Sequence, residues 1–285
     1  LLDAGMNKFV APFFGGFDGV DITFVDPFSS RQVLDGKTVA GHYAYKAVDK
    51  AIDSIKDPEQ VSYEIVSMPG IWNSELVDTL LENTEERGDA LAIVDLNSGF
   101  KGDHEHNSST ATAGSVSEAV SWANARDYDT SYGATYYPEV VLGTPDDGLV
   151  VPASVAGIGA IASSEAASGA PWFAPAGFNR GGIKDLGGPS GPKVKRAAET
   201  LTKAERDQLY QANVNPIANF PGEGPVVFGQ KTLQQTPSAL DRINVRRLMI
   251  FLKKRIGDVA RTVLFDNNVN ATWNRFKAQA DRILQ

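Results

Sequence analysis

Several things are missing from this chain of 285 residues, and each absence argues against a class of protein. There is no cysteine, which excludes a disulfide framework and a thiolate metal site and fits a reducing compartment. No apolar run reaches the roughly 18–20 residues of a membrane span, so we expect no membrane insertion. Basic residues are outnumbered, 27 against 35, and the net charge of −8 argues against a general nucleic-acid binder.

What is present is typical of a folded α/β domain. Hydrophobic residues make up 42% and charged residues 22% of the chain. Helical periodicity predicts helices at 40–55, 74–87, 115–127, 150–167 and 202–211, and apolar runs predict strands at 61–68, 90–96 and 134–142. The strand at 90–96 is apolar on both sides, which indicates a parallel sheet with helices on both faces. We assign residues 36–285 to this domain and residues 1–35 to the remainder of an inserted or N-terminal subdomain.

The last third of the chain predicts a β-hairpin at 213–233 followed by a long basic helix from Ile243 to near Gln285. The hairpin contains Gly224 and Gly229, spaced as in a phosphate-binding P-loop. That motif requires lysine directly after the second glycine, whereas Gln230 precedes Lys231 here. The intervening residues are strand-like, so we interpret the segment as a hairpin arm.

The helix is amphipathic and carries the clearest physical pattern in the chain. Its apolar stripe consists of Val245, Leu248, Met249, Leu252, Ile256, Val259, Ala260 and Val263. Basic residues lie largely off the stripe, at Arg246, Arg247, Lys253, Lys254 and Arg261. Two interpretations stay open: an ordinary core helix with a solvated basic face, or a basic face that meets an acidic partner.

Motifs for catalysis or metal binding are weak. His104 and His106 could share a metal, but no third ligand is visible, and an exposed polar loop explains them as well. Arg87-Gly88-Asp89 spells an adhesion tripeptide, yet its position after a helix favours a glycine C-cap. Carboxylates are plentiful, at Asp18, Asp21, Asp26, Asp146 and Asp147, without a pattern that pairs them. We therefore expect no enzyme and no cofactor.

A set of short segments, in this order, resembles the tail sheath proteins of contractile-tailed bacteriophages. They are 15–19, 68–70, 87–90, 131–138, 174–182, 215–217 and 243–248, which read GGFDG, MPG, RGDA, SYGATYYP, APAGFNRGG, NPI and INVRRL. Each segment alone is common. Their order and spacing together make the resemblance specific, and it extends over most of the chain.

The resemblance implies a structural subunit that assembles in stacked six-fold rings, wound helically around a tail tube, and contracts to drive the tube through the host envelope. The implied partners are other sheath subunits, the tube and the baseplate. The implied location is the virion, after assembly in the host cytoplasm. Sheath subunits are linked by terminal arms that add strands to neighbouring sheets, and the chain looks like a central body without them. We therefore expect it to be monomeric or weakly associated.

By the same resemblance, Arg246, Arg247, Lys253 and Lys254 are the candidate contacts with the tube or an adjacent subunit. Two alternatives stay open. One is a phage-associated hydrolase that uses carboxylates in the Gly/Pro-rich loops. The other is a host-surface binding module formed by the loops at 97–114 or 169–200.

Overall fold

A computed structural model describes residues 28, 30, 42–101, 112–143, 148–186 and 191–284. The prediction for residues 1–35 falls almost wholly outside these residues. The helices are α1 (Tyr43–Ser54), α2 (Ser74–Arg87), α3 (Val116–Arg126), α4 (Ala153–Ser168), α5 (Lys203–Gln211), α6 (Ile243–Arg261) and α7 (Asn270–Leu284). The strands are β1 (Ile65–Ser67), β2 (Leu91–Val94), β3 (Gly133–Tyr137), β4 (Val140–Leu142), β5 (Leu149–Val151), β6 (Val194–Ala197), β7 (Val214–Phe220) and β8 (Gly224–Val227).

A five-stranded sheet in the order β1-β2-β3-β7-β8 forms the centre of the fold. The first four strands pair in parallel, and β8 closes the sheet as the antiparallel half of a hairpin with β7. Every residue of β2 is buried, as its continuous apolar sequence predicts. The predicted α/β class, the parallel pairing and the hairpin are confirmed.

Helices cover both faces of this sheet, and alternate residues of β2 belong to different layers. Leu91 and Ile93 pack in a cluster that includes α4 and the first turns of α6. Ala92 and Val94 pack in a second cluster with α1 and α2. A third cluster joins α3 and α5 beside β3 and β7. The helices α2 and α6 therefore lie on opposite faces of the sheet.

Local sequence explains where several helices begin and end. Asn73 and Ser115 accept backbone N–H groups at the starts of α2 and α3, and Thr202 forms a capping box with Glu205 at α5. Gly88 ends α2 in the left-handed conformation at φ 62°, which only glycine adopts without strain. This confirms the capping interpretation of residues 87–89.

A small antiparallel sheet, in the order β5-β4-β6, departs from the sequence-based expectation. The predicted strand at 134–142 is two strands, β3 and β4, in different sheets and separated by Pro138 and Glu139. The strand β5 lies where the next helix was predicted to begin. The strand β6 falls within the predicted loop at 169–200, because its exposed Lys195 and Arg196 hide the strand pattern.

The C-terminal region also differs from the prediction of a single helix. The helix α6 ends at Arg261, and α7 begins at Asn270 after a turn. The two helices pack against each other. The turn contains Asp266, Asn267 and Asn268, residue types that favour turns. None of the residues of α7 is buried.

Candidate functional site

The helix α6 passes the segments that lead into the parallel strands, and its basic residues hold it there. The side chain of Arg246 is buried, bonds to the Ser131 hydroxyl and lies 4.0 Å from the centre of the Tyr132 ring. Arg247 is also buried and donates to the carbonyl oxygen of Pro171 at 3.0 Å. Both side chains are therefore engaged within the chain, although Nε of Arg246 has no hydrogen-bond partner among the described residues.

The next two basic residues of α6 bind the segments just before β1 and β2, which lie side by side and form one corner of the fold. Lys253 donates from Nζ to the carbonyl oxygen of Arg87 at 3.0 Å. Lys254 donates to the carbonyl oxygen of Tyr63 at 2.6 Å and lies 3.9 Å from the Asp89 carboxylate. We call the contacts of Arg246, Arg247, Lys253 and Lys254 the cationic seat of α6.

Arg87 makes this corner a rigid support for the lysines. Its guanidinium is buried, pairs with Asp89 at 2.8 Å and donates to the carbonyl oxygens of Ile55 and Val61. Its charged group also stacks over the Tyr63 ring, 4.1 Å from the ring centre. Lys253 and Lys254 thus bind a corner that is already fixed by other contacts.

The cationic seat corrects one premise of the sequence analysis. Arg246 and Arg247 were expected on a free face, and they lie against the body of the chain instead. The physical reason is that unpaired carbonyl oxygens at strand and helix ends need donors, which long cationic side chains supply. Whether any of the four residues also contacts the tube or another subunit stays a prediction.

The apolar stripe of α6 faces away from the cationic seat. At 100° per residue, Leu252, Ile256 and Val259 lie roughly opposite Ile243, Arg247 and Ile250. The stripe residues are half-buried, apart from the more exposed Met249, and α7 is the helix that packs on α6. The helix α6 is therefore a middle layer between the chain body and α7.

Beyond α6, the helix α7 and the turn before it present large apolar side chains to solvent. Phe265 is 97% exposed, and Trp273 is 64% exposed. We define the α7 face by its exposed apolar residues, which are Leu264, Phe265, Val269, Trp273 and Leu284. Scattered exposed apolar residues are normal, but a group of this size on one helical hairpin is typical of an interaction surface.

Comparison with known proteins supports the resemblance found in the sequence. The chain is 48% identical over 114 residues to the tail sheath protein of Vibrio phage KVP40, and 41% identical over 114 residues to that of Enterobacteria phage T4. Over the aligned segment, the chain is therefore similar to the tail sheath proteins of these phages. Each match covers 40% of this chain and 16% of the relative. No family model matches the chain.

Solved structures show that the fold is also shared. The sheath complex of an extracellular contractile injection system, in its contracted state, superposes with a TM-score of 0.59 at 22% identity. That match covers 82% of this chain and 58% of the other. The shared fold therefore extends beyond the segment that aligns with the phage relatives.

One cleft among the described residues bears on the hydrolase alternative. A cleft of about 290 Å³ borders α3 and Lys231, and its one carboxylate, Asp127, accepts a bond from Gln235. Lys231 itself donates to the carbonyl oxygen of Tyr210 at 2.8 Å, and burial lowers its pKa. The cleft thus lacks the pair of convergent carboxylates that glycoside hydrolysis requires.

The most buried carboxylate instead holds two elements together. Asp95, at the end of β2, accepts bonds from the backbone N–H groups of Gly70 and Ser154 at 2.8 and 2.9 Å. It also accepts the Ser154 hydroxyl at 2.7 Å, which ties β2 to the start of α4. Burial raises the pKa of Asp95, and the hydrogen bonds lower it. The effect of burial is the larger, so the pKa lies above its ordinary value.

The remaining candidate metal ligands and carboxylates from the sequence analysis lie outside the described residues. His104 and His106 lie in the stretch 102–111, which is outside the described residues. The candidate carboxylates also lie outside them, namely Asp18, Asp21, Asp26, Asp146 and Asp147. Across the described ranges, no group of three metal-ligating side chains comes together. Within the same ranges, no helix combines the length and apolar character that crossing a bilayer demands.

Proposed function

We propose that this chain is part of a structural subunit of a contractile phage tail sheath. Such a subunit assembles helically around the tail tube and contracts to drive the tube through the host envelope. The observation that carries the proposal is the 48% identity to a phage tail sheath protein, together with a sheath fold across most of the chain. Because the aligned segment spans 16% of that relative, the activity of the whole protein is inferred from a part.

The partners that follow are other sheath subunits, the tail tube and the baseplate, and the proposed location is the virion after assembly in the host cytoplasm. Sheath assembly requires no chemical reaction in the subunit, so the protein is proposed not to be an enzyme. The contracting lattice requires head-to-tail contacts, since closed two-fold contacts cannot extend a helix.

The proposed site of contact lies in the C-terminal helices. The original candidates Arg246, Arg247, Lys253 and Lys254 are engaged within the chain, so their side chains are better suited to positioning α6 than to binding a partner. We transfer the contact to the α7 face, where apolar side chains are exposed beside basic ones. A tube or a neighbouring subunit could bind there.

Electron microscopy tests the function directly. The protein that contains this chain in its natural context is expressed and imaged with and without its tail tube. Helical tubes with a six-fold lattice are expected, and particles that remain globular under all conditions would contradict the proposal. This chain on its own is expected to be monomeric or weakly associated, and light scattering that finds long tubes would contradict that expectation.

A further inference from the structure

The charges of this chain are separated between two surfaces on opposite faces of the central sheet. Residues 255–284, which include α7 and the end of α6 but not the lysines of the cationic seat, carry five basic and three acidic side chains, a net charge of +2. The helix α2 carries five acidic side chains and one basic side chain, Arg87, which is buried and paired with Asp89. A positive and a negative surface therefore coexist in a chain whose total charge is −8.

The negative surface is an exposed helical face. Glu75, Glu82 and Glu86 recur at spacings of seven and four residues, which places them along one side of α2. All three are exposed, because the opposite side of α2 packs on the sheet through Leu76, Leu80 and other apolar residues. Glu86 also pairs with the exposed Lys56 at 2.9 Å, and Glu75 accepts the Tyr45 hydroxyl at 2.7 Å. We call these three glutamates the acidic face of α2.

The positive surface combines charge with the apolar residues of the α7 face. Lys277 lies four residues after Trp273 and seven before Leu284, so all three share one side of α7. Trp273 is 64% exposed and Leu284 is 59% exposed. A basic surface with an aromatic centre suits an acidic protein partner, because the charges steer the encounter and the apolar groups stabilise the contact.

From this complementarity we propose that the α7 face binds the acidic face of α2 on a second copy of this chain. The inference rests on the proposed function and specifies one of its contacts. The helix α2 packs on one face of the sheet, and α7 packs on α6, which lies on the other face, so one copy can bind a neighbour through each surface at the same time. Such a contact is heterologous and extends an assembly rather than closing a dimer.

A charge-swap experiment with the whole chain tests the contact. Variant A carries Lys277→Glu and Arg282→Glu on α7, and variant B carries Glu82→Lys and Glu86→Lys on α2. All four side chains are exposed, and the ion pair of Glu86 with Lys56 that variant B removes is solvent-exposed on both sides. Both variants are therefore expected to keep the circular dichroism spectrum of the natural chain and to melt close to its melting temperature. Self-association is measured by sedimentation velocity at low and high salt.

The natural chain should self-associate weakly, and high salt should weaken the association further. Each variant alone should associate more than about tenfold less, because like charges then face each other. The mixture of A and B should regain the affinity of the natural chain, since the reversed α7 of A meets the reversed α2 of B. A control that reverses Lys184 and Lys203, which are exposed elsewhere, should leave association unchanged.

Several results would overturn the contact. They are an absence of self-association at any concentration, variants that associate as the natural chain does, or a mixture that does not recover. Another occupant of the α7 face, such as the tube, would be indicated if variant A loses tube binding while variant B does not.

If the same reversals leave sheath tubes of the natural protein unchanged, the proposed function stands and only this contact fails. If folded variants pair as expected but tubes never form, the contact stands and the proposed function fails.

Discussion

A carboxylate oxygen of Glu165 lies 2.5 Å from a guanidinium nitrogen of Arg247, although 82 residues separate them in the sequence. This ion pair joins the last part of α4 to the first part of α6. Only 5% of the Arg247 side chain is exposed, against 42% of the Glu165 side chain. The pair therefore connects the body of the fold to the C-terminal helices at the border of the solvent.

Arg247→Ala should destabilise the fold. The substitution leaves Glu165 and the Pro171 carbonyl oxygen without their donor and opens a gap under α6, at an expected cost of about 1–3 kcal/mol in the free energy of unfolding. Urea denaturation measures this cost. Arg255→Ala, at an exposed position on the same helix, is the control and should stay within about 0.5 kcal/mol. Equal effects of the two substitutions would contradict the cationic seat.

Two glycines in helices should respond to alanine in opposite directions. A Cβ atom at Gly157 would lie 2.6 Å from Cδ2 of the buried Tyr136 ring, so Gly157→Ala should cost about 1–3 kcal/mol. At Gly257 a Cβ atom meets nothing within 4 Å, so Gly257→Ala should stabilise the fold by about 0.5–1 kcal/mol through helix propensity. Thermal unfolding of both variants checks the two signs. A stabilised Gly157→Ala variant would contradict the close packing of α4 on β3.

The buried Asp95 should make stability depend on pH. Its pKa is raised by burial, so the folded state binds a proton more readily than the unfolded state. This contribution is fully present below the ordinary pKa of the carboxyl group and is lost as the pH rises through the folded value. The free energy of unfolding of the natural chain, relative to Asp95→Asn, should therefore fall as the pH rises from about 4, the usual aspartate pKa. Parallel pH profiles of the two proteins would exclude this role.

Asn215 should tolerate aspartate less well than alanine. Its side-chain amide donates to the carbonyl oxygens of Thr135 and Lys231 at 3.0 and 2.8 Å, and its oxygen accepts the Lys231 N–H. Asn215→Ala removes these bonds at an expected cost of about 2–4 kcal/mol. Asn215→Asp places a carboxylate against two carbonyl oxygens and should cost more at pH 7, with the difference shrinking in acid. Chemical denaturation at two pH values measures both effects.

The parts of the fold that sequence predicted are those with local causes. The helix α2 was predicted at its observed bounds because its apolar period and its Gly88 stop agree, and the structure adds the Asn73 cap. The strand β2 was recognised because it is apolar on both faces. By contrast, the three residues of β5 are too few to show a period, and they are strand only because β4 pairs with them.

The orientation of α6 could not be read from its sequence. An amphipathic pattern shows which side is apolar, but it does not show whether that side meets the body of the domain or another helix. Here the acceptors of Lys253 and Lys254 are backbone carbonyl oxygens that lie 166 and 191 residues away in the sequence. Every residue has a carbonyl oxygen, so the sequence does not show which ones will accept these bonds. The turn before α7, in contrast, has turn residues at 266–268 that the helical period obscured.

The acceptors of the cationic seat also bear on how this architecture can diverge. The oxygens of Tyr63, Arg87 and Pro171 that receive the cations belong to the main chain, so side-chain substitutions at these positions do not remove the acceptors themselves. For these three bonds, only the donating side must keep long basic residues. They can therefore persist through extensive sequence drift with the genetic constraint on α6 alone, whereas the bonds of Arg246 to Ser131 and of Arg247 to Glu165 constrain both partners.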